Sequence, residues 1–574
     1  MPAGVALRVL LGSALIASCG TAESDPGLSA LLITLDTTRA DGLSCYGGPP
    51  ELTPHVGRLA EEGVLYEYAH TVAPLTQPAH ASMLTGLYPP RHSVRDNGIW
   101  ALPDSAETSA EAAARAGIRT AAFLGSVVLD AGFGFEQGFE VYEPPARPLA
   151  QTTTDYAERR GSEVAASAAH WLAGLDPGER FFLWVHLWDP HGPYEPPAEF
   201  ADRGTPYQGE LAAMDAAVGT LLESLRSREL LERTLVLLVA DHGEAFGEHD
   251  EVSHGALCYE PTLHVPLVVR YPDAHRAGER SREIVSVVDV HPTLCAALGL
   301  PAPIGVDGES LHRTRVAPDR GVYFESYYGY LAYGWSPLAG WLDRGGKYVH
   351  GTVSELFDPL GDPVEARDLV GERDVTRYRA EISAVFERPA LARDEGALDE
   401  GLRDGIRALG YAAAASAEAE LPHGLAETGR TSPRAATGEQ KLYQRACALL
   451  GAGRTPEARR DFEAILEHNP ENVAARERLA ICLSREGDAE AAIEHLRRIV
   501  SGGHAHADTH FFLAAVLARD GRDEEAVEHY ARALDVDRNH VQALTGIVEA
   551  LERLGRGPEA RPYRASLRAL RERR

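Results

Sequence analysis

The sequence predicts two folded parts, an α/β domain with a largely parallel central sheet and, after it, an all-α repeat array. Three observations carry this. From Ala30 onward, short continuous apolar runs alternate with longer helical stretches, the pattern of strands buried on both faces. Late in the chain, glycines recur at a fixed interval. The length, 574 residues, exceeds one ordinary domain and suffices for a large core plus an accessory module.

The first residues bear on compartment. Arg8 precedes an apolar run over 9–17, too short to span a bilayer. The run ends in Ile16-Ala17-Ser18-Cys19, which resembles the lipobox of bacterial lipoproteins. That resemblance implies a signal segment over 1–19, lipidation at Cys19 and a lipid anchor, placing the protein in the bacterial cell envelope on the periplasmic face of a membrane. Hydrophobic residues make up 44% and charged residues 25%, as in a soluble globular protein. The formal net charge of -29 repels phosphate backbones, so no nucleic-acid partner is expected. Lysine occurs only at Lys347 and Lys441, so anion contacts fall to arginine, histidine, metal or backbone. The remaining cysteines, Cys45, Cys258, Cys295, Cys447 and Cys482, form no C-x-x-C pair, which argues against a zinc knuckle or a disulfide scaffold.

Candidate strands cover 31–35, 120–124, 181–187, 235–240 and 266–270, with helical patterns such as 161–175 and 209–226 between them. Ligands in such sheets sit beyond the carboxyl ends of strands. Asp36 follows the first strand, and Asp241-His242 follows the fourth. The α/β part is assigned to 28–410. An alanine-rich stretch over 411–438 reads as a linker. Beyond it, Gly453, Gly487, Gly521 and Gly555 recur every 34 residues, with Ala446, Ala480, Ala514 and Val548 before them and Ala458, Ala492, Ala526 and Ala560 after them. This period resembles the tetratricopeptide repeat and implies a helical solenoid over 439–574 that takes a protein or peptide partner.

The chemistry lies in three segments. Asp36 ends a buried strand, where an unpaired carboxylate is costly. Asp241-His242-Gly243-Glu244 ends another, and carboxylate plus imidazole at strand ends is a recipe for a divalent metal. Between them, Pro78 suits the first turn of a helix and puts Thr76 at or just before its N-cap. From the residues alone, Thr76 is either a capping hydroxyl or a nucleophile at the positive end of a helix dipole.

Taken together, the motifs resemble the sulfatase family of the alkaline-phosphatase superfamily. Residues 31–47 look like its opening metal strand, and Thr76-Gln77-Pro78-Ala79-His80 with Leu84-Thr85-Gly86 looks like its nucleophile signature. Residues 240–249 resemble its second metal motif. Val288-Asp289-Val290-His291-Pro292 and Glu355-Leu356-Phe357-Asp358-Pro359, with Asp362-Pro363 and Asp368-Leu369, are similar to its smaller C-terminal subdomain. The resemblance implies that Asp36, Thr76, Asp241 and His242 bind or flank one metal, with Thr76 as nucleophile. It further implies that Asn97 and His254 hold the substrate anion and that His191 is an active-site histidine. Asp189, His191 and His254 match the recipe for a second metal, and one metal is the preferred reading.

The chain departs from the family at three positions. Sulfatases carry Cys or Ser where this chain has Thr76, because that residue is oxidised to formylglycine, and threonine gives only a ketone. His80 replaces the usual arginine, and Thr37 replaces the second aspartate of the metal pair. Losing a carboxylate while keeping His242 shifts the expected metal toward zinc or manganese, with calcium the alternative. The expected activity is hydrolysis or transfer of a phosphate or phosphonate ester on a small-molecule, glycan or lipid substrate. A sulfuric ester hydrolase of unusual maturation and an inactive binding scaffold remain as alternatives.

Overall fold

A computed structural model describes residues 27–145, 158–393, 420–502, 506–536 and 538–573. Cys19 and the stretch 411–419 lie outside these residues. Among the described residues no helix is long and apolar enough to cross a membrane.

The strands are β1 (Ser29–Leu35), β2 (Val64–His70), β3 (Arg119–Leu124), β4 (Val141–Glu143), β5 (Phe181–Leu187), β6 (Thr234–Ala240), β7 (Leu267–Arg270), β8 (Glu279–Ser286), β9 (Val322–Ser326), β10 (Leu338–Asp343), β11 (Gly346–His350) and β12 (Glu355–Phe357). Eight of them form one sheet in the order β4-β3-β5-β1-β6-β7-β2-β8. The central strands β5, β1 and β6 pair in parallel and are buried along their whole length. Their side chains are apolar at nearly every position because helices cover both faces. The sheet departs from the parallel rule at β7, which runs antiparallel to both β6 and β2.

Local signals explain the helix boundaries. The helix read as 209–226 spans Pro206–Ser227, because Thr205 accepts a hydrogen bond from the Gln208 amide while the Gln208 side chain accepts from the Thr205 amide. Pro206 then occupies the first turn, where its missing N–H costs nothing.

The smaller subdomain is an antiparallel sheet, β12-β11-β10-β9. Among its ties to the larger part, the Glu325 amide donates to the Val72 carbonyl, just past β2.

The C-terminal part is a run of paired helices, from Thr437–Gly451 to Arg561–Arg573. Gly453, Gly487, Gly521 and Gly555 all have positive φ, between 73° and 91°, which explains their recurrence at the turn inside each pair. Ala446, Ala458, Ala480, Ala492, Ala514, Ala526 and Ala560 are buried between helices, where a larger side chain would force the pairs apart.

The stretch 420–438 lies against the α/β part. The Ser336 amide donates to the Thr431 carbonyl, Thr352 Oγ1 donates to the Arg430 carbonyl, Arg434 pairs with Glu355, and Ala436 joins the sheet core. The first repeat continues the contact. Glu439 Oε1 accepts from Trp335 Nε1 at 3.3 Å, Asn469 Nδ2 at 2.9 Å and Asn472 Nδ2 at 2.5 Å. Asn469 Nδ2 also donates to the Tyr333 carbonyl, and the Tyr333 and Tyr443 rings meet edge to face. Gly334 has φ 72°, and a Cβ there would stand 2.7 Å from the Glu471 carbonyl oxygen, so only glycine fits this close approach.

Candidate active site

The site sits at the carboxyl ends of β1 and β6, which are neighbours in the sheet. The ladder continues one residue past each strand: the Asp36 amide donates to the Leu187 carbonyl and the Asp241 amide to the Leu35 carbonyl. Backbone pairing thus fixes the two carboxylates side by side. His242 follows, and Gly243 lets the chain turn beneath it, since a Cβ there would stand 2.1 Å from the Pro261 carbonyl oxygen. Asp36, Asp241 and His242 place one ligand atom each within 4.8 Å of one another, all fully buried.

The electrostatics of this cluster suit a cation. Both Asp36 oxygens and Asp241 Oδ2 are buried with no hydrogen-bond partner. Burial pushes both carboxyls well above the usual carboxylate range, and for Asp241 the neighbouring Asp36 adds to the rise. Two uncompensated carboxylates in a dry site are costly, and a divalent ion removes that cost. The imidazole is ready for one. His242 Nδ1 is 2.9 Å from the Gly243 carbonyl and donates to it, which leaves the Nε2 lone pair facing the carboxylates, 3.7 Å from Asp241 Oδ2. The donor set fits a divalent metal.

Thr76 is the first residue of the helix Thr76–Thr85, and Leu75 is its N-cap. The Thr76 hydroxyl caps nothing. Its Oγ1 points at the cluster, 3.5 Å from His242 Nε2. Asn97 stands beside it. Asn97 Oδ1 accepts from the Gln77 amide at 2.8 Å, which leaves Nδ2 buried without a partner and free to donate to an anion.

Two further histidines close the site. His254 Nδ1 is 3.0 Å from Glu244 Oε1, and its ring lies 4.5 Å from that of His242. Burial works to lower its pKa, but the Glu244 and Asp36 carboxylates together outweigh it and the net shift is upward. His191 stacks on Trp188 at 3.8 Å and donates from Nδ1 to the Gly192 carbonyl, while burial holds its pKa down to about 3. These two are 8% exposed while Thr76, Asp36, Asp241, His242 and Asn97 show no exposed surface, so the approach from solvent is on their side.

Two positions singled out in the sequence stand elsewhere. Asp189 is turned away: its Oδ2 accepts from the Gly161 amide at 2.7 Å and its Oδ1 faces Arg160. His191 and His254 therefore come together without it. Thr37, at φ 40°, gives its hydroxyl to the Pro190 carbonyl. Neither lysine supplies an anion ligand. Lys347 is buried between Glu260 and Glu365, and Lys441 pairs with Asp250.

Three neighbours of the site have no role assigned from the sequence: Glu244 and His80, which lie within the motifs, and His186, which lies outside them. Glu244 orients His254 and accepts from Tyr194 OH. His80 donates from Nδ1 to the Thr76 carbonyl, and its Nε2 is buried and unpartnered. His186, inside β5, has Nε2 3.4 Å from Asp36 Oδ2. Parallel register was the available signal for His186, because it sets this residue opposite Thr34, two before Asp36.

Comparison with known proteins agrees with this picture. Residues 29–300 match the sulfatase family model, 247–389 match the C-terminal model of N-sulphoglucosamine sulphohydrolase, and 443–508 match a tetratricopeptide repeat model. An uncharacterized sulfatase, YidJ, of Escherichia coli (strain K12) is 25% identical over 430 residues, covering 60% of this chain and 83% of its own. Arylsulfatase A of Homo sapiens is 28% identical over 353 residues, covering 51% and 68%. In fold, the phosphonate monoester hydrolase of Agrobacterium radiobacter superposes with a TM-score of 0.52 at 22% identity, covering 62% of this chain and 95% of that one. The chain thus carries an N-terminal domain of the sulfatase/alkaline-phosphatase superfamily, with a buried Asp/Asp/His cluster suited to a divalent metal, followed by tetratricopeptide repeats.

Proposed function

We propose that the chain is a metal-dependent hydrolase, or group transferase, that cleaves a phosphate or phosphonate ester through Thr76. The observation that carries this is the Thr76 hydroxyl itself: uncapped, at a helix N-terminus, and aimed at the cluster 3.5 Å from His242 Nε2. A threonine there supplies an oxygen nucleophile and cannot supply the aldehyde that sulfate-ester cleavage in this family uses. The same fold occurs in a phosphonate monoester hydrolase.

Asp36, Asp241 and His242 would hold a divalent ion, which would supply positive charge to lower the hydroxyl pKa and offset charge on the substrate oxygens. The chain's own residues do the rest. Thr76 Oγ gives its proton to solvent water and forms the new bond to phosphorus as the bond to the leaving oxygen breaks. The helix N-terminus and Asn97 Nδ2 face the anionic oxygens. His254, held at Nδ1 by Glu244, is the stronger donor of a proton to the leaving oxygen; His191 gives its Nδ1 proton to Gly192 and presents a lone pair at Nε2. Water then releases the group from Thr76 and restores its hydroxyl. The repeats serve a protein or peptide partner.

A sulfuric ester hydrolase is the second reading, favoured by the names of the curated relatives. Matched aryl phosphate monoester, phosphodiester, phosphonate and sulfate esters separate the two. The metal-reconstituted protein is expected to turn over a phosphorus ester and to leave the sulfate ester intact. Turnover of the sulfate ester alone would reverse the assignment.

A further inference from the structure

We infer that His186 is a positioning residue for the metal ligand Asp36, held in one tautomer by a buried hydrogen-bond relay from Trp184 through Thr34. This rests on the metal reading above and adds to it a part of the machinery that lies within the strands.

The relay follows from hydrogen-bond accounting. Trp184, Thr34 and His186 are all fully buried on the facing strands β5 and β1. Register pairs His186 with Thr34, and strand alternation puts Trp184 on the same face. Trp184 Nε1 is a donor only, and it donates to Thr34 Oγ1 at 2.9 Å. Thr34 Oγ1 then lies 3.1 Å from His186 Nδ1. Two arrangements satisfy that contact. If His186 Nδ1 carried the proton, the Thr34 hydroxyl hydrogen would be buried with no acceptor, since among the described residues Thr34 makes no other side-chain hydrogen bond. An orphaned buried donor is costly. Thr34 therefore donates to Nδ1, and the ring proton of His186 sits on Nε2.

That proton points at Asp36. His186 Nε2 is 3.4 Å from Asp36 Oδ2, and both atoms are buried with no other partner. A small rotation of Asp36 would complete the N–H···O contact, with His186 on one oxygen and the other left for a cation. The same tautomer excludes His186 as a ligand, because a ligand needs the Nε2 lone pair. It agrees with the ligand cluster, which gathers Asp36, Asp241 and His242 without His186.

The full-length protein tests this with Mn²⁺ as probe, its dissociation constant read by competition with a chromophoric chelator. His186→Leu is expected to weaken Mn²⁺ binding by roughly 10–100-fold, the range for lost outer hydrogen bonds to a metal ligand. His186→Gln, whose side-chain amide can donate from the Nε2 position, is expected to bind Mn²⁺ close to the parent. Thr34→Val is expected to weaken binding with His186 intact. Far-UV circular dichroism checks folding, and ¹⁵N-histidine spectra of the parent should show a neutral ring protonated at Nε2 whose signal disappears in His186→Gln. Equal weakening in His186→Leu and His186→Gln with the fold intact, or a His186 ring protonated at Nδ1, would overturn the inference. Parent protein that takes up no Mn²⁺ while keeping the Nε2 tautomer would overturn the metal reading instead.

Discussion

Thr76→Ala is expected to remove nearly all turnover, a loss of roughly 10³-fold or more, because nucleophile and electrostatic surroundings act as one unit. The hydroxyl stands 3.5 Å from His242 Nε2 at the start of the helix Thr76–Thr85. Thr76→Ser keeps the oxygen and should retain phosphoester activity. Rapid quench with a phosphoester should trap a phosphorylated Thr76 peptide, and intact mass should show no oxidation at that residue. Strong sulfate-ester turnover with no phosphorylated enzyme would sink the phosphoryl-transfer reading. Unchanged turnover in Thr76→Ala would remove Thr76 from the mechanism altogether.

The second large effect is expected on stripping divalent ions with a chelator. Turnover should fall to background, and the unfolding midpoint should drop, because Asp36 and Asp241 then face each other with their inner oxygens unpaired. An ion at a hundred times its dissociation constant stabilises the folded chain by about 2.7 kcal/mol, so the shift is measurable by calorimetry. Zinc or manganese should restore activity better than calcium. Thr37 spends its hydroxyl on the Pro190 carbonyl, and His242 offers nitrogen, so the site has fewer hard oxygen donors than calcium favours. Restoration by calcium alone would overturn that argument. An unfolding midpoint that ignores the chelator would argue that no ion resides at the cluster.

Much of this architecture is legible in the sequence, for identifiable reasons. β1, β5 and β6 read as strands because burial on both faces demands apolar residues throughout. Asp36 and Asp241 read as ligands because nothing apolar explains a carboxylate there. β8 was invisible: its charged residues, as in Glu279-Arg280-Ser281-Arg282-Glu283, belong to an edge strand partly open to water. Asp189 read as a site residue because it precedes His191, but its oxygens answer to the Gly161 amide and Arg160, a tertiary contact that no local pattern reveals. His186 was hidden for the opposite reason, since inside an apolar strand it looks like core until register sets it opposite Thr34. The stretch 411–438 read as a linker from composition, and the anchors of its described part, 420–438, on Ser336, Thr352 and Glu355 lie far away in sequence.

The grip of Glu439 on Trp335 and of Asn469 on Tyr333 changes what the repeats would do for the proposed catalysis. A module on a loose string raises the effective concentration of its cargo over every distance the string allows. A module bolted to the catalytic domain acts as a ruler. On the proposed reading, whatever the repeats hold would be offered to the mouth at His191 and His254 from one direction and at one reach. Selectivity then comes from span as well as from chemistry. A series of esters joined to a repeat-binding peptide through spacers of increasing length should show one sharp optimum in kcat/KM. A broad plateau across the series would mean that the array swings free in solution.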